Sequence, residues 1–389
     1  MLQVERHHHK GNDTIVALCK TSKELYNRCT FLMRQAWFGS ETLPNINDLV
    51  AAVKHEDCFK SLHNTKTAKQ TIRKVLTDWS NFKAALRAYK ADPTAFRKKP
   101  KPPYYKKAMA QVIFYKETIL GGQSGKDLNV IVPTNHCFAV PSTRKFKQVV
   151  ITPKTFGFVI DVQYEVPDVE RNEGKGVCNI DIGLNNLATI TSDQLERPIL
   201  VNGRIVKSIN QWFNKHPNKK NSRKRYWRLE NYFHHVSKLI VAKCLKFSIG
   251  TIIIGKNDGW KCEMNLGKKA NQNFQYVPFW NLMQKIKYKA ELAGLEVIFT
   301  EEAYTSKASF LDRDPLPKYE QDVAPPTFSG KRIGRGRYKT SDGRVINADV
   351  NGSANIGRKV IRDEDVILRL DRSVAATPVR VNPLKFFSV

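Results

Sequence analysis

The sequence lacks the features that would place it in a membrane or an oxidising compartment. No run approaches the ~20 apolar residues that a membrane span needs. Residues Met1 to Lys10 are charged and carry no apolar core, so no secretory signal is expected. The seven cysteines (Cys19, Cys29, Cys58, Cys137, Cys178, Cys244 and Cys262) are odd in number and scattered, without a C-x-x-C pair. That excludes a disulfide framework and a cysteine-ligated zinc site, and no zinc is expected. Acid is scarce too: 36 Asp and Glu stand against 65 Lys and Arg, a net charge of +29. A compact state with that excess repels itself unless a polyanion is its usual partner. With no basic amphipathic anchor in sight, nucleic acid is favoured over a membrane surface. A soluble chain of a prokaryotic cytosol is expected.

What is present suits a globular protein. The 389 residues are 41% hydrophobic and 10% aromatic, enough for real cores. At roughly 150 residues per domain the length suggests about two to three domains.

Three regions differ in texture. Residues 12–92 read as helical, with Leu25, Cys29, Leu32 and Met33, then Ile72, Val75, Leu76, Trp79, Phe82 and Leu86 at helical spacing. A short strand-like run, 2–5, precedes them. Residues 93–170 are β-rich, with apolar runs at 130–132, 149–151 and 158–160. That region opens on a proline-rich connector carrying Arg97, Lys98, Lys99, Lys101, Lys106 and Lys107 and no acid. Proline keeps such a backbone extended. The connector reads either as a solvated linker or as a strand-tracking arm whose Tyr104 and Tyr105 stack on bases.

From 176 to about 362 strands alternate with helices. Strands are expected at 177–181, 187–191, 198–201, 251–255 and 296–300. A long helix fits 223–247, stopped by Gly250, and a second fits 279–293, with Gly294 past its end. This order describes an α/β domain with a mixed sheet. The tail after 363 looks peripheral. The stretch from Arg204 to Arg228 holds nine Lys or Arg and no acid, with Trp212, Tyr226 and Trp227 interleaved. It reads as a solvated helix face or, in so basic a chain, as a phosphate-contacting surface through Lys219, Lys220, Arg223, Lys224, Arg225 and Arg228. The triplet His7-His8-His9 has no metal-site spacing and reads as the end of a strand facing RNA or phosphate.

Two segments carry candidate chemistry. In Val177-Cys178-Asn179-Ile180-Asp181-Ile182-Gly183 an apolar strand ends in a carboxylate, followed by a glycine that permits a tight turn. A carboxylate among apolar residues costs energy unless something positive sits against it. A divalent cation fits, because Mg²⁺ takes one or two carboxylates and leaves room for phosphate oxygens. The plainer alternative is a turn or cap aspartate. In the second segment Asp349 opens a helix on which Asn351 and Asn355 lie one turn apart. Taken alone, that acid also reads as a cap.

Together, Ile180-Asp181-x-Gly183-x-x-Asn186-x-Ala188 and Asp349-x-Asn351-x-x-x-Asn355 resemble the first and third nuclease motifs of TnpB. This is the transposon-encoded family ancestral to type V CRISPR effectors. The step Tyr304-Thr305-Ser306 after a strand is similar to that family as well. The resemblance implies an α/β RuvC-like (RNase H-like) nuclease domain over 176–306 and 345–362. It also implies a β-barrel-like wedge domain, 1–11 and 93–175, with a helical recognition lobe, 12–92, inserted in it. A basic insert for target loading, 307–344, and a tail, 363–389, complete the chain. The implied activity is that of a monomeric nuclease of a transposable element, carrying guide RNA. It would cut both strands of target DNA beside a short flanking motif, with two Mg²⁺ ions about 4 Å apart.

The chain departs from the family pattern twice. The glutamate expected at the end of the fourth strand falls on Gly255. Glu301 or Glu302, at the end of the neighbouring strand, can supply it across about 5 Å, with Gly255 leaving room. Period-two alternation lets only one of them face the metals, and Glu302 is in the better phase. Asp258 or Glu263 folding back is a second solution; a nuclease-inactive, RNA-guided DNA-binding repressor is a third. The implied ligands are therefore Asp181, Glu302 (or Glu301) and Asp349. The second departure is the absence of cysteine from 307–348, where relatives carry two C-x-x-C pairs. The insert holds Lys331, Arg332 and Arg335 among glycines that permit close approach to phosphate, and a metal-free loading lobe or a partly flexible loop is expected.

Overall fold

A computed structural model describes residues 2–115, 119–120, 128–131, 136–139, 145–155, 157–256, 277–318, 326–334, 336–361 and 375–386. The chain divides into two compact units, Met1–Asp168 and Val169–Val389.

The first unit begins with strand β1 (Leu2–His9) and helices α1 (Asp13–Phe38), α2 (Ile46–Val53), α3 (Asp57–Lys60) and α4 (Thr65–Ala91). Strands β2 (Val112–Tyr115), β3 (Ile119–Leu120), β4 (Leu128–Ile131), β5 (His136–Ala139), β6 (Lys145–Lys154) and β7 (Gly157–Glu165) follow. The main sheet is antiparallel in the order β1-β7-β6-β2, and β3-β4-β5 form a second sheet. Helices α1 and α4 start where Asn12 and Asn64 accept hydrogen bonds from the amides of Ile15 and Thr67, each satisfying an otherwise orphaned first-turn donor. Ile15, Leu25, Cys29 and Met33 of α1 and Ile72, Val75 and Trp79 of α4 pack against Val112, Phe114, Val149, Ile151 and Ile160 of the sheet. Helices and sheet thus close over one core. The strand expected at 2–5 continues through the histidine triplet, which pairs with Phe158–Ile160.

The second unit holds β8 (Gly176–Asp181), β9 (Asn186–Ser192), β10 (Ile199–Asn202), α5 (Arg204–Lys215), α6 (Lys219–Lys246), β11 (Ile249–Lys256), α7 (Phe279–Glu291) and β12 (Glu296–Glu301). A three-stranded sheet of β13 (Lys331–Gly334), β14 (Arg337–Lys339) and β15 (Val345–Asn347) leads into α8 (Ala348–Arg358), then β16 (Val379–Val381) and α9 (Pro383–Phe386). The central sheet is mixed, in the order β12-β11-β8-β9-β10-β16: β12, β11 and β8 run parallel, β9 is antiparallel to β8 and β10, and β16 is parallel to β10.

Strand β8 shows how the sheet is faced. Cys178 and Ile180 join the apolar core with α5, α6 and α7, where Val206, Phe233, Ile240, Leu282 and Ile286 are buried. Asn179 and Asp181 alternate to the other side, toward α8. There Ser353 donates a hydrogen bond to the Asn179 or Thr189 carbonyl (2.9 and 3.1 Å) and lies 3.1 Å from the Thr191 hydroxyl. This buried polar layer fixes the height of α8 against β8 and β9.

Three expectations are corrected. The helix expected at 223–247 begins earlier, at Lys219, where Asn218 caps it by accepting from the Asn221 amide, and the first part of the basic run 204–228 forms a helix of its own, α5. Gly250 does not stop α6. The helix ends at Lys246, Ser248 takes the left-handed conformation (φ 53°), and Gly250 lies inside β11, where a Cβ would sit 1.9 Å from the Gly174 carbonyl oxygen. Within the tail, the described residues Val379–Val381 are not peripheral: as β16 they extend the central sheet beside β10. No helix among the described residues is long and apolar enough to cross a membrane.

Candidate active site

Asp181 is the last residue of β8, opposite Thr189 of β9, and Gly183 begins the return of the chain. Asp349 stands in the first turn of α8. It is not the cap: Asn347 is, accepting from the amides of Asp349 and Val350 at 3.0 and 3.1 Å. The Asp349 carboxylate is left for other partners. Asn186 donates to its Oδ2 at 2.7 Å, and Arg332 of β13 approaches Oδ1 at 3.8 Å.

Helix α8 lays Gly352 on Asp181, where a Cβ would meet Oδ2 at 3.1 Å. The two aspartates interact. Burial first, and then the Asp349 carboxylate, push Asp181 up to about 7, with Arg332 opposing them.

The two glutamates part company. Glu301 accepts hydrogen bonds from Lys359 Nζ and from the Ala303 amide (2.9 Å), and Lys359 also donates to the Pro317 carbonyl. Glu302 crosses Gly255: a Cβ there would lie 2.5 Å from Glu302 Oε1, 2.8 Å from its Cγ and 2.6 Å from Ile356 Cδ1. Strands β11 and β12 are parallel neighbours, with Gly255 opposite Thr300. Ile254 pairs with Ile180 on the other side, one residue before Asp181. The glycine that stands where a glutamate was expected is thus covered by the glutamate of the next strand. Asp258 and Glu263 lie outside the described residues.

Among the described residues, no group of three His, Cys, Asp or Glu side chains stands in a metal-ligating arrangement. The donor set gathered is the Asp181–Asp349 pair. Two neighbouring acids suit a divalent cation, since Mg²⁺ needs only one or two carboxylates besides phosphate oxygens.

The expected nucleic-acid contacts divide by environment. Arg97, Lys98, Lys99 and Lys101 are exposed. The connector is nevertheless tied to α1. Asn27 exchanges two hydrogen bonds with the Lys106 backbone (2.7 and 3.0 Å), and Arg34 donates to the Pro103 carbonyl. The Arg34 guanidinium also lies 5.6 and 5.7 Å from the ring centres of Tyr104 and Tyr105, which remain 63% and 45% exposed. Lys219, Lys220, Arg223 and Lys224 are exposed on the first turns of α6, whereas Arg225 stacks on Phe213 and Arg228 on Trp212. Lys331 and Arg332 are exposed on β13, and Arg335 lies outside the described residues.

The cysteine-free insert is organised around Asp312. Its carboxylate accepts from Ser309 Oγ (2.5 Å), Ser329 Oγ (3.1 Å), and the amide and hydroxyl of Ser341 (3.0 and 2.7 Å). Burial works against its ionisation, but these donors hold Asp312 below the usual carboxylate range.

Sequence reasoning missed two roles. Asn186 was visible only as a motif letter, and Arg332 only as one basic residue among many. The spacing gives neither its contact with Asp349.

Residues 279–356 match the Cas12f1-like TNB domain family. A stretch of 124 residues is 32% identical to the CRISPR-associated endodeoxyribonuclease Cas12f1 of Sulfoacidibacillus thermotolerans, over 32% of this chain and 25% of that protein. The chain therefore spans about a quarter of the length of the curated relative it matches. Two solved structures align at 12% identity: a Cas12f1–sgRNA–target DNA complex and a CRISPR-Cas12f ternary complex. They cover 93% and 90% of this chain and 100% and 81% of theirs, with TM-scores of 0.35 and 0.32, too low to define the fold.

Proposed function

We propose that this chain is an RNA-guided DNA endonuclease of a transposable element, hydrolysing phosphodiesters of double-stranded DNA beside a short flanking motif. The observation that carries the reading is the meeting of the two motifs: Gly352, three residues past Asp349 on α8, lies against Asp181 Oδ2, while Glu302 covers Gly255 on the neighbouring strand. The repulsion between two carboxylates is relieved by a cation as it is by a proton. Asp181, Asp349 and Glu302 are the residues to hold Mg²⁺. When bound there, the metal supplies activation of water and stabilisation of the leaving oxygen.

The remaining work falls to the chain's own groups. Asn186 orients the Asp349 carboxylate by donating to Oδ2. Arg332, exposed on its strand and 3.8 Å from Oδ1, pairs with the scissile phosphate in this reading. Lysines in the first turn of α6 oppose the helix dipole, an arrangement that a bound polyanion relieves. Phosphate contacts of this kind give affinity without sequence choice, which in this reading comes from pairing with guide RNA. The domain assignment proposed from the sequence, wedge, helical lobe, RuvC-like domain and loading insert, goes with this reading.

The test is to incubate the chain with its copurifying RNA, a matched duplex and Mg²⁺. Asp181→Ala and Asp349→Ala should abolish cutting of both strands while guide-dependent DNA binding persists. Binding without cutting by the wild-type chain would return the repressor reading. Cutting with no RNA present would remove the guided one.

A further inference from the structure

The turn that carries Glu302 away from β12 is strained. Tyr304 sits at φ 63°, a left-handed conformation that bulky side chains rarely adopt. Such strain persists only where the surroundings enforce it. Here the enforcement comes from the helix that bears Asp349. Asn355 of α8 is fully buried, and its Nδ2 donates to the carbonyls of Thr305 (3.0 Å) and Ala308 (2.8 Å). Thr305 in turn donates to the Glu302 carbonyl twice, through its hydroxyl (3.0 Å) and its amide (3.2 Å). Asn351, one turn earlier, repeats the grip by donating to the Ala308 carbonyl and accepting from the Phe310 amide. The next residue after Asn355, Ile356, supplies the methyl that packs where Glu302 crosses Gly255.

We propose that Asn355 is a positioning residue for Glu302, acting through Thr305. One face of α8 would then set the glutamate in register with Asp349 on the same helix. This rests on the reading of Glu302 as a metal ligand. It gives the two asparagines of the third motif a definite role, that of clamping the turn behind the displaced acid. Both side chains are engaged by protein groups, Asn351 by Ala308 and Phe310 and Asn355 by Thr305, Ala308 and Arg358.

The experiment uses the full chain and Mn²⁺ alone as probe, reading the metal concentration at which half of the thermal-shift response is reached. A purely architectural asparagine would lower the metal-free melting temperature without moving that midpoint. In Asn355→Ala the midpoint is expected to rise about tenfold or more, the usual consequence of losing a residue that orients a metal ligand. Thr305→Val should behave alike, and Thr305→Ser, which keeps the hydroxyl, should return to the wild-type midpoint. Glu302→Gln is run beside them. If it moves the midpoint while folded Asn355→Ala and Thr305→Val do not, this inference is overturned and the ligand assignment stands. If Glu302→Gln leaves the midpoint unmoved, the ligand assignment fails and the inference with it. Should Asn355→Ala fail to fold, the Thr305 pair decides.

Discussion

Asn186 donates a 2.7 Å hydrogen bond to Asp349 across 163 residues of chain, joining the first nuclease-like motif to the third. The asparagine is nearly buried at the start of β9, and the aspartate is in the first turn of α8. The bond holds one carboxylate oxygen and leaves the other toward Arg332. Removing it should free Asp349 to rotate while leaving both elements in place. Asn186→Ala is expected to lower cleavage about ten- to hundredfold with guide and target binding retained. Asn186→Asp, which sets a carboxylate against a carboxylate, should be worse. Wild-type cleavage by Asn186→Ala would remove the orienting role.

Gly255 and Gly352 both lie under site carboxylates but differ in room. At Gly255 an added methyl meets Glu302 and Ile356 at 2.5 and 2.6 Å, so something must move. At Gly352 the nearest atom is Asp181 Oδ2 at 3.1 Å. Gly255→Ala should therefore abolish or severely reduce cleavage and cost about 1–3 kcal/mol of stability from overpacking. Gly352→Ala should be the milder of the two. Urea melts and cleavage rates on the same preparations give both comparisons.

Glu301 and Glu302 are adjacent and chemically identical, yet their surroundings assign them different work. Glu301 is engaged by Lys359 and the Ala303 amide, and its side chain is 43% exposed. Its partner Lys359 is only 4% exposed, so the work of Glu301 is to neutralise a buried ammonium, a matter of stability and not of cutting. Glu301→Gln should cut nearly as wild type, whereas Glu302→Gln should not cut. The reverse result would exchange their roles. Equal cutting by both would send the search to Asp258 and Glu263.

The sequence made much of this legible through periodicity. Strand β8 could be read because Cys178 and Ile180 alternate with Asn179 and Asp181, and parallel pairing of β11 with β12 follows from the helix between them. The vacancy at Gly255 and its covering by a neighbouring acid were readable because strand ends share an edge. What escaped was set by contacts far apart in the chain or by elements too short to show a period. Three residues of β16 carry no pattern, and Val379–Val381 find their place only against Ile199–Val201. Arg332 reaches Asp349 because β13 and β14 fold back on β15, a geometry that composition does not encode. Gly250 misled because a glycine after a helix usually ends it, whereas here it admits the Gly174 carbonyl to the strand.

The aspartate pair should also leave a signature in the metal-free chain. Burial and the facing Asp349 raise Asp181 from the ordinary 3.8 to about 7 in the folded state. Between those values the folded chain holds a proton that the unfolded chain has released. Stability from this group is therefore fully present below about pH 4 and is lost as pH rises through 7. That is opposite in sign to a salt-bridged aspartate. In EDTA, Asp181→Asn should lose less thermal stability than wild type between pH 5 and pH 8, so the variant gains on wild type as pH rises; these pH values are about the span of the shift. Adding Mg²⁺ should stabilise wild type more at pH 8 than at pH 5 and do little for Asp181→Asn. Parallel pH profiles for the two proteins in EDTA would mean that neither burial nor Asp349 perturbs Asp181 in the folded chain.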